Sequence, residues 1–254
     1  MANQINVRMP SRGLLPDTVE EVTIREMTVK EEKGLFSSKR PFQKILDLIK
    51  SCVADPTTLN IKKLPLTEIV FLLFQLRKLS LGSDYKYKLV CNSCGRNLEK
   101  EISLNDFEVR YLRDGATPQY SCELPSGRTI TFRYLVGEDQ IDIDNVVRMR
   151  GQKAGVNFDN GFVYRLAKQI HEVDGEQLSM PEKEMFVDSL THSELETVNE
   201  TINNNEFGID LSVMIDCQFC GNLDEVIIPI TQDFLFRGSS KSRETTNNVQ
   251  GLDD

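Results

Sequence analysis

The chain has 254 residues, 39% of them hydrophobic, a formal net charge of −9 and a pI near 5.0. That length and apolar content support one large domain or two small ones of the soluble globular class. The acidic balance argues against a general nucleic-acid surface, which needs a basic stripe to displace counterions from phosphate. The longest apolar run, Ile69 to Phe74, has six residues against the ~20 needed to span a bilayer. No apolar leader follows Met1, so the protein is expected to stay in the cytoplasm of the producing cell.

Residues 1 to 20 carry Pro10, Gly13 and Pro16 without a sustained period and are expected to form an extended arm. Val22, Ile24 and Met27 among charged residues predict a short strand within Glu21 to Val29. Residues 30 to 40, charged and glycine-containing, predict a loop. From Pro41 the spacing of Phe42, Ile45, Leu46, Ile49, Cys52 and Val53 marks one face of a helix that Pro56 ends. A second helix should open near Pro65 and run to about Ser80, with Gly82 just past its end. It is apolar almost all round, which predicts a buried helix at the centre of the N-terminal core.

Tyr85 to Val90 and Leu98 to Leu104 read as strands, followed by Glu108 to Leu112, Gln119 to Leu124 and Thr129 to Val136. The last two are joined by Pro125-Ser126-Gly127-Arg128, a hairpin-turn signal. After Gly137 the period becomes helical. One short helix should end before Gly151, a second should hold Phe162, Val163, Leu166 and Ile170, and a third should open at Pro181. Thr191-His192-Ser193-Glu194 is a capping box that starts another, with Leu195, Val198 and Ile202 as its apolar stripe. Ile209 to Ile215 and Glu225 to Ile230 predict two more strands. Residues 237 to 254 are polar and aperiodic and are expected to be disordered.

Two stretches organise this order: Cys91-Asn92-Ser93-Cys94-Gly95 and Cys217-Gln218-Phe219-Cys220-Gly221, each between apolar, β-prone segments. A tetrahedral zinc site needs four donors and one Cys-x-x-Cys supplies two, so the two pairs together supply a full set. The glycine after each second cysteine suits a tight knuckle. Local disulfides, a redox dithiol or unrelated turns are the alternatives, but an expected cytoplasmic location favours metal ligands over disulfides. Cys52 and Cys122 have no close cysteine partner and read as small buried side chains. Aligning Cys91 with Cys217 exposes a weak repeat: strand, knuckle, strand, then Asp106-Phe107 or Asp233-Phe234, sixteen or seventeen residues past the first cysteine at the phenylalanine. The pairs are 122 residues apart, far beyond the ~15–20 of a compact ribbon. A helical and β insertion must lie between them.

The order of motifs resembles the baseplate hub and hub-assembly proteins of T-even-like contractile-tailed bacteriophages. The resembling features are Met9-Pro10-Ser11-Arg12-Gly13, then Leu76-Arg77-Lys78-Leu79-Ser80-Leu81-Gly82 leading through Tyr85 into the first knuckle. Phe207-Gly208-Ile209 leads into the second, and Phe234 and Phe236 close the run. The resemblance implies a non-enzymatic role in building the central baseplate hub through contacts with other hub proteins, either as a hub subunit or as an assembly factor. It places the protein in the host cytoplasm during assembly and allows it in the virion tail baseplate.

Catalysis has little support. The only histidines are His171, at the end of an expected helix, and His192, in a first helical turn, and no nucleophile elbow or phosphate loop is present. Asp139, Asp142 and Asp144 lack the calcium-loop order of donors and read as a solvated helix start. Arg148, Arg150 and Lys153 read as an exposed basic face. The expected fold is α+β, with helical N-terminal and C-terminal parts around antiparallel β hairpins and one split four-cysteine zinc ribbon. One structural zinc ion is expected on Cys91, Cys94, Cys217 and Cys220. In domain terms this is an arm (1–20), a single domain (21–236) built on two knuckle hairpins (84–107 and 209–236) with an inserted β and helical region (108–208), and a tail (237–254). No small-molecule substrate is expected. A zinc-ribbon adaptor contacting nucleic acid is the second reading.

Overall fold

A computed structural model describes residues 3–35, 41–55, 57, 59–154, 161–228, 230 and 232–235. Pro56, Phe236 and the 237–254 tail, on which three expectations rest, lie outside the described residues.

Part of the expected N-terminal arm is a strand. β1 (Gln4–Arg8) pairs antiparallel with β2 (Glu21–Arg25), with Val7 opposite Val22, because Val7, Met9, Val22 and Ile24 all bury their side chains in the main core. Part of the expected loop after Val29 is α1 (Val29–Leu35). Thr28 and Glu31 form a reciprocal cap there: the Glu31 amide donates to the Thr28 hydroxyl and the Thr28 amide to the Glu31 carboxylate. Thr-x-x-Glu is a helix-start signal that overrides the loop-like composition of the stretch.

α2 (Pro41–Cys52) and α3 (Leu66–Leu81) match the two periodic stretches. α3 ends on Gly82, whose φ of 89° lies in the left-handed region. Ile69, Phe71, Leu72, Leu73, Phe74 and Leu76 are all buried, so α3 is the central helix of the main core. Two polar side chains are buried with them, Glu68 and Arg77. Arg77 lies over the rings of Tyr85 and Phe234 and donates to the carbonyls of Gly82 and Asp84.

β3 (Asp84–Val90) and β4 (Asn97–Ser103) form the first knuckle hairpin. β5 (Val109–Arg110) then starts the insertion, and β6 (Gln119–Glu123) and β7 (Thr129–Arg133) form the expected hairpin, with Gly127 at φ 82° in its turn. α4 (Gly137–Ala154) runs through Gly151 rather than stopping before it. A lone helical glycine costs only ~1 kcal/mol against alanine, and this one is an interior residue rather than a cap. α5 (Phe162–Gln169) hands over to β8 (Ile170–Val173), which adds to β7. His171 is therefore in a strand, and Ile170 and Val173 face the second core: tertiary pairing overrides the helical spacing there.

α6 (Met180–Asp188) and α7 (His192–Asn205) open on the capping boxes Ser179/Glu182 and Thr191/Glu194. Only the second of these was expected. The segment expected as one strand is broken at Asp210 into β9 (Gly208–Ile209) and β10 (Ser212–Asp216), and β11 (Leu223–Ile227) completes the second knuckle hairpin.

The main core draws on residues from Val7 to Leu104 and again from Ile215 to Leu235. A second core, from Leu124 to Val198, lies between β6–β8 and helices α5, α6 and α7. The two ends of the intervening stretch meet, since β5 pairs antiparallel with β9. This explains how a long insertion can separate the knuckles without displacing them. The return passes close to α3: a Cβ on Gly208 would lie 3.1 Å from the Cβ of Thr67. No helix among the described residues is long and apolar enough to cross a membrane.

Candidate metal centre

The two Cys-x-x-Cys stretches adopt the same local fold. In the first, the Cys91 amide donates to Arg96 O (2.9 Å) and the Gly95 amide to Cys91 O (2.9 Å). In the second, Cys217 donates to Asn222 O (2.8 Å) and Gly221 to Cys217 O (2.8 Å). Gly95 and Gly221 both have φ 70°. A Cβ at either would meet nothing within 4 Å, so the requirement is for left-handed backbone and not for space. Each turn aims both of its sulfurs to one side.

The strand pairs share one register. Lys88 is opposite Glu99 and Val90 opposite Asn97; 126 positions later Met214 is opposite Glu225 and Asp216 opposite Leu223. The repeat extends past the strands. Phe107 packs edge-on against Phe74 at 5.5 Å and Phe234 stacks on the same ring at 5.8 Å. Both Asp-Phe phenylalanines of the repeat thus converge on one side chain of α3.

Folding brings Cys91, Cys94, Cys217 and Cys220 together, with all four sulfurs within 4.8 Å of one another. Cys91 and Cys217 are buried and Cys94 and Cys220 exposed. Each buried sulfur lies close to the exposed one of the other knuckle: Cys91 to Cys220 at 3.8 Å and Cys94 to Cys217 at 3.7 Å. A disulfide needs ~2.05 Å, and all four are free thiols. A tetrahedron of sulfurs at the ~2.3 Å of a Zn–S bond has edges of about 3.8 Å. The set therefore fits a zinc ion in donor type, number and spacing. Among the described residues no other group of three or more histidine, cysteine or acidic side chains comes close enough to hold a metal.

The local field favours thiolate at Cys217. Burial opposes charge on Cys217, but the amides of Phe219 and Cys220 and the neighbouring thiols outweigh it and bring Cys217 down to about 6. The Arg96 amide works to lower Cys94 as well. Burial and the other three thiols nevertheless push Cys94 up to about 11.

Three further contacts join the knuckles, and sequence reasoning missed them all. Lys100 donates to Asp216 (2.7 Å), Asn92 donates to Asp224 (2.6 Å), and the Arg96 guanidinium lies 4.9 Å from the centre of the Phe219 ring. One had a signal. Lys100 alternates with Leu98 and Ile102 on the inward face of β4, and a lysine in that stripe calls for an acid across from it.

The other candidates are structural. Asp139 is no solvated helix start. It is buried and takes a two-pronged bond from Arg133 at 2.7 and 2.8 Å, with Lys168 3.9 Å away. Burial works against charge on Asp139, and Arg133, the Val136 amide and Lys168 hold it below the usual carboxylate range. Asp142 bonds Lys168 and the Tyr164 hydroxyl, and Asp144 accepts from Gln140. Arg150 is not a free basic face either: it clamps Glu184 of α6 at 2.6 and 2.8 Å. Arg148 reaches Asn145 on its own helix, and the Lys153 side chain lies outside the described residues. His171 lies 3.5 Å from Glu172 and exposed His192 3.3 Å from Glu196. Cys52 is buried and Cys122 half-buried, and burial pushes both thiols up.

No curated protein matches the chain, and no solved structure does. A family model described as T4 bacteriophage base plate protein matches residues 8–236. The match takes in both knuckle hairpins, the insertion between them and the segment carrying Phe234. The chain belongs to the T4 bacteriophage base plate protein family.

Proposed function

We propose that this phage tail baseplate protein acts without catalysis in assembly of the central baseplate hub, as a hub subunit or a hub assembly factor, and that Cys91, Cys94, Cys217 and Cys220 hold one structural zinc ion. The family match over residues 8–236 carries the reading, and the sequence resemblance to hub and hub-assembly proteins narrows it to the hub. Four thiolates fill a tetrahedral zinc shell and leave no position for water or substrate, so the metal would organise the surface. The working parts are then surfaces that dock other hub proteins, with no small-molecule substrate. Assembly would take place in the host cytoplasm before the protein or its partners enter the tail.

The nucleic-acid adaptor gains no observation in its favour. Lys86 and Lys88, on the exposed face of the first hairpin, stand opposite Glu101 and Glu99. Their charge is offset locally, and they form no stripe that would displace counterions.

The test is a phage carrying an amber codon in this gene, grown with and without suppression, with tails purified and their composition read by mass spectrometry. Baseplates lacking hub components without suppression are expected. Complete hubs in that preparation would overturn the proposal. The chain's presence or absence in purified wild-type particles separates subunit from assembly factor.

A further inference from the structure

The two knuckle hairpins share one register, so their solvent faces can be compared position by position. On β3–β4 the outward rows are Lys86 opposite Glu101, Lys88 opposite Glu99 and Val90 opposite Asn97. On β10–β11 the same rows are Ser212 opposite Ile227, Met214 opposite Glu225 and Asp216 opposite Leu223. Two of the three rows on the first face set a lysine opposite a glutamate. The second places large apolar side chains where its sister has Glu101, Lys88 and Asn97. Ile227 is 73% exposed, Leu223 64% and Met214 61%.

Single exposed apolar residues are ordinary on protein surfaces. These three are adjacent. Side chains directly opposite across an antiparallel pair lie ~5 Å apart and diagonal ones ~7–8 Å, so Ile227, Met214 and Leu223 form a zigzag down one small face. Glu225 stands between Leu223 and Ile227 on the same strand and opposite Met214. Among the described residues it has no cation in ion-pair range, whereas Asp216 on the same face is taken by Lys100. Among the described residues the zigzag is therefore centred on a carboxylate without an ion pair.

We infer that the outer face of β10–β11 is a docking surface for a segment of another baseplate protein that presents apolar side chains on either side of a lysine or arginine. The inference rests on the baseplate reading above and adds which face is used and what chemistry it accepts. Charge complementarity selects the occupant. A second copy of this chain laid face to face would bring Glu225 against a like acidic face, in a chain of net charge −9, and like charges across an interface are repulsive. A basic residue against Glu225 would complete the pairing, and the apolar pair on either side would shield it. Two five-residue strands cover only part of the ~800 Å² per partner of an ordinary interface, so this face acts as its central anchor.

The test titrates the full-length zinc-loaded chain against each purified baseplate protein of the same phage, with zinc content and circular dichroism checked for every variant. Met214→Lys combined with Ile227→Lys should weaken binding to one of them about thirtyfold or abolish it. Glu225→Lys should weaken it about tenfold. Ile227→Thr, which keeps β propensity, gives a second reading if the double variant folds poorly. Lys88→Met, at the sister position of Met214, should leave affinity within about twofold. Binding that survives all the outer-face variants would overturn this surface and leave the hub function standing. A wild-type chain that binds no baseplate protein would overturn both. A dimer of this chain that Ile227→Lys dissolves would replace the inferred partner with a second copy.

Discussion

Glu68 tests whether the burial seen in the structure has energetic content. Its side chain is fully buried in the first turn of α3. One carboxylate oxygen accepts from the Ser11 amide at 3.1 Å and the other has no hydrogen-bond partner. Burial raises its titration from 4.5 to about 7, against the pull of the Ser11 hydroxyl and amide. At ~1.4 kcal/mol per pH unit, that difference is worth about 3 kcal/mol. Between pH 4.5 and 7 the folded protein keeps a proton that the unfolded chain has released. Stability falls as pH rises through that window and is level above it. Glu68→Gln cannot ionise, and its carbonyl can still accept from Ser11. Whatever fixed offset the new amide introduces, the variant should gain about 2.5 kcal/mol relative to wild type between pH 5 and pH 8, because pH 5 already lies inside the window. Urea unfolding of both proteins at the two pH values measures this. Loss of metal at low pH is common to both and cancels. Parallel stability profiles, with a change in the difference below about 0.5 kcal/mol, would show that Glu68 is not held as a buried acid.

Cys94→Ser should lower bound zinc, read by atomic emission on the purified chain, together with the thermal midpoint; an unchanged metal content and midpoint would remove Cys94 from the ligand set. Gly95→Ala should cost ~1–2 kcal/mol by forcing a Cβ into left-handed backbone, and Gly95→Asn should cost less; equal costs in denaturant melts would contradict a conformational origin. Phe234→Ala should cost ~3–5 kcal/mol, because that ring is fully buried against Phe74, Tyr85 and Arg77. Chelation of the metal should raise amide exchange in β3, β4, β10 and β11 while α3 stays protected; global loss of protection would show that the metal holds the whole fold.

Elements set by local chemistry are legible in the sequence. α2 and α3 carry their own periodicity, α7 its own cap, and the hairpin at Gly127 its own turn. The meeting of the four cysteines is legible because two Cys-x-x-Cys-Gly stretches of one pattern in one chain are scarce. The elements that escape sequence reasoning depend on distant neighbours. β8 is a strand because β7 lies beside it, and nothing in Ile170 to Val173 states that. Asp139 reads as a solvated helix start until Arg133 and Lys168 are brought against it from β7 and α5. Glu68 and Arg77 are absorbed into an apolar pattern that cannot show their partners, since Ser11 is 57 positions from Glu68. The Thr28 and Ser179 caps are a different case: both signals are local, but each lies in a charged or polar stretch whose composition resembles a loop.

The position of β5 beside β9 changes what the proposed zinc would have to do. In the sequence alone, a zinc ion joining Cys94 to Cys217 closes a loop of 122 residues. In the structure, β5 pairs with β9 and closes most of that loop without metal. From that pair to the cysteines, 14 residues (95–108) remain on one side and 7 (210–216) on the other. Closure entropy grows as about (3/2)RT times the logarithm of loop length, so the shorter loop is cheaper to close by roughly 1.5 kcal/mol. The main core also spans both sides of the insertion independently of the thiols, through Phe74, Phe107 and Phe234. What would remain for the proposed zinc is local, namely holding two identically registered hairpins tip to tip so that their outer faces keep a fixed relation. Those faces differ in chemistry although their backbones repeat, one carrying two lysine–glutamate rows and the other an apolar zigzag around an acid. A zinc clasp between unlike faces would specify the orientation in which a partner can approach, as the proposed docking role requires.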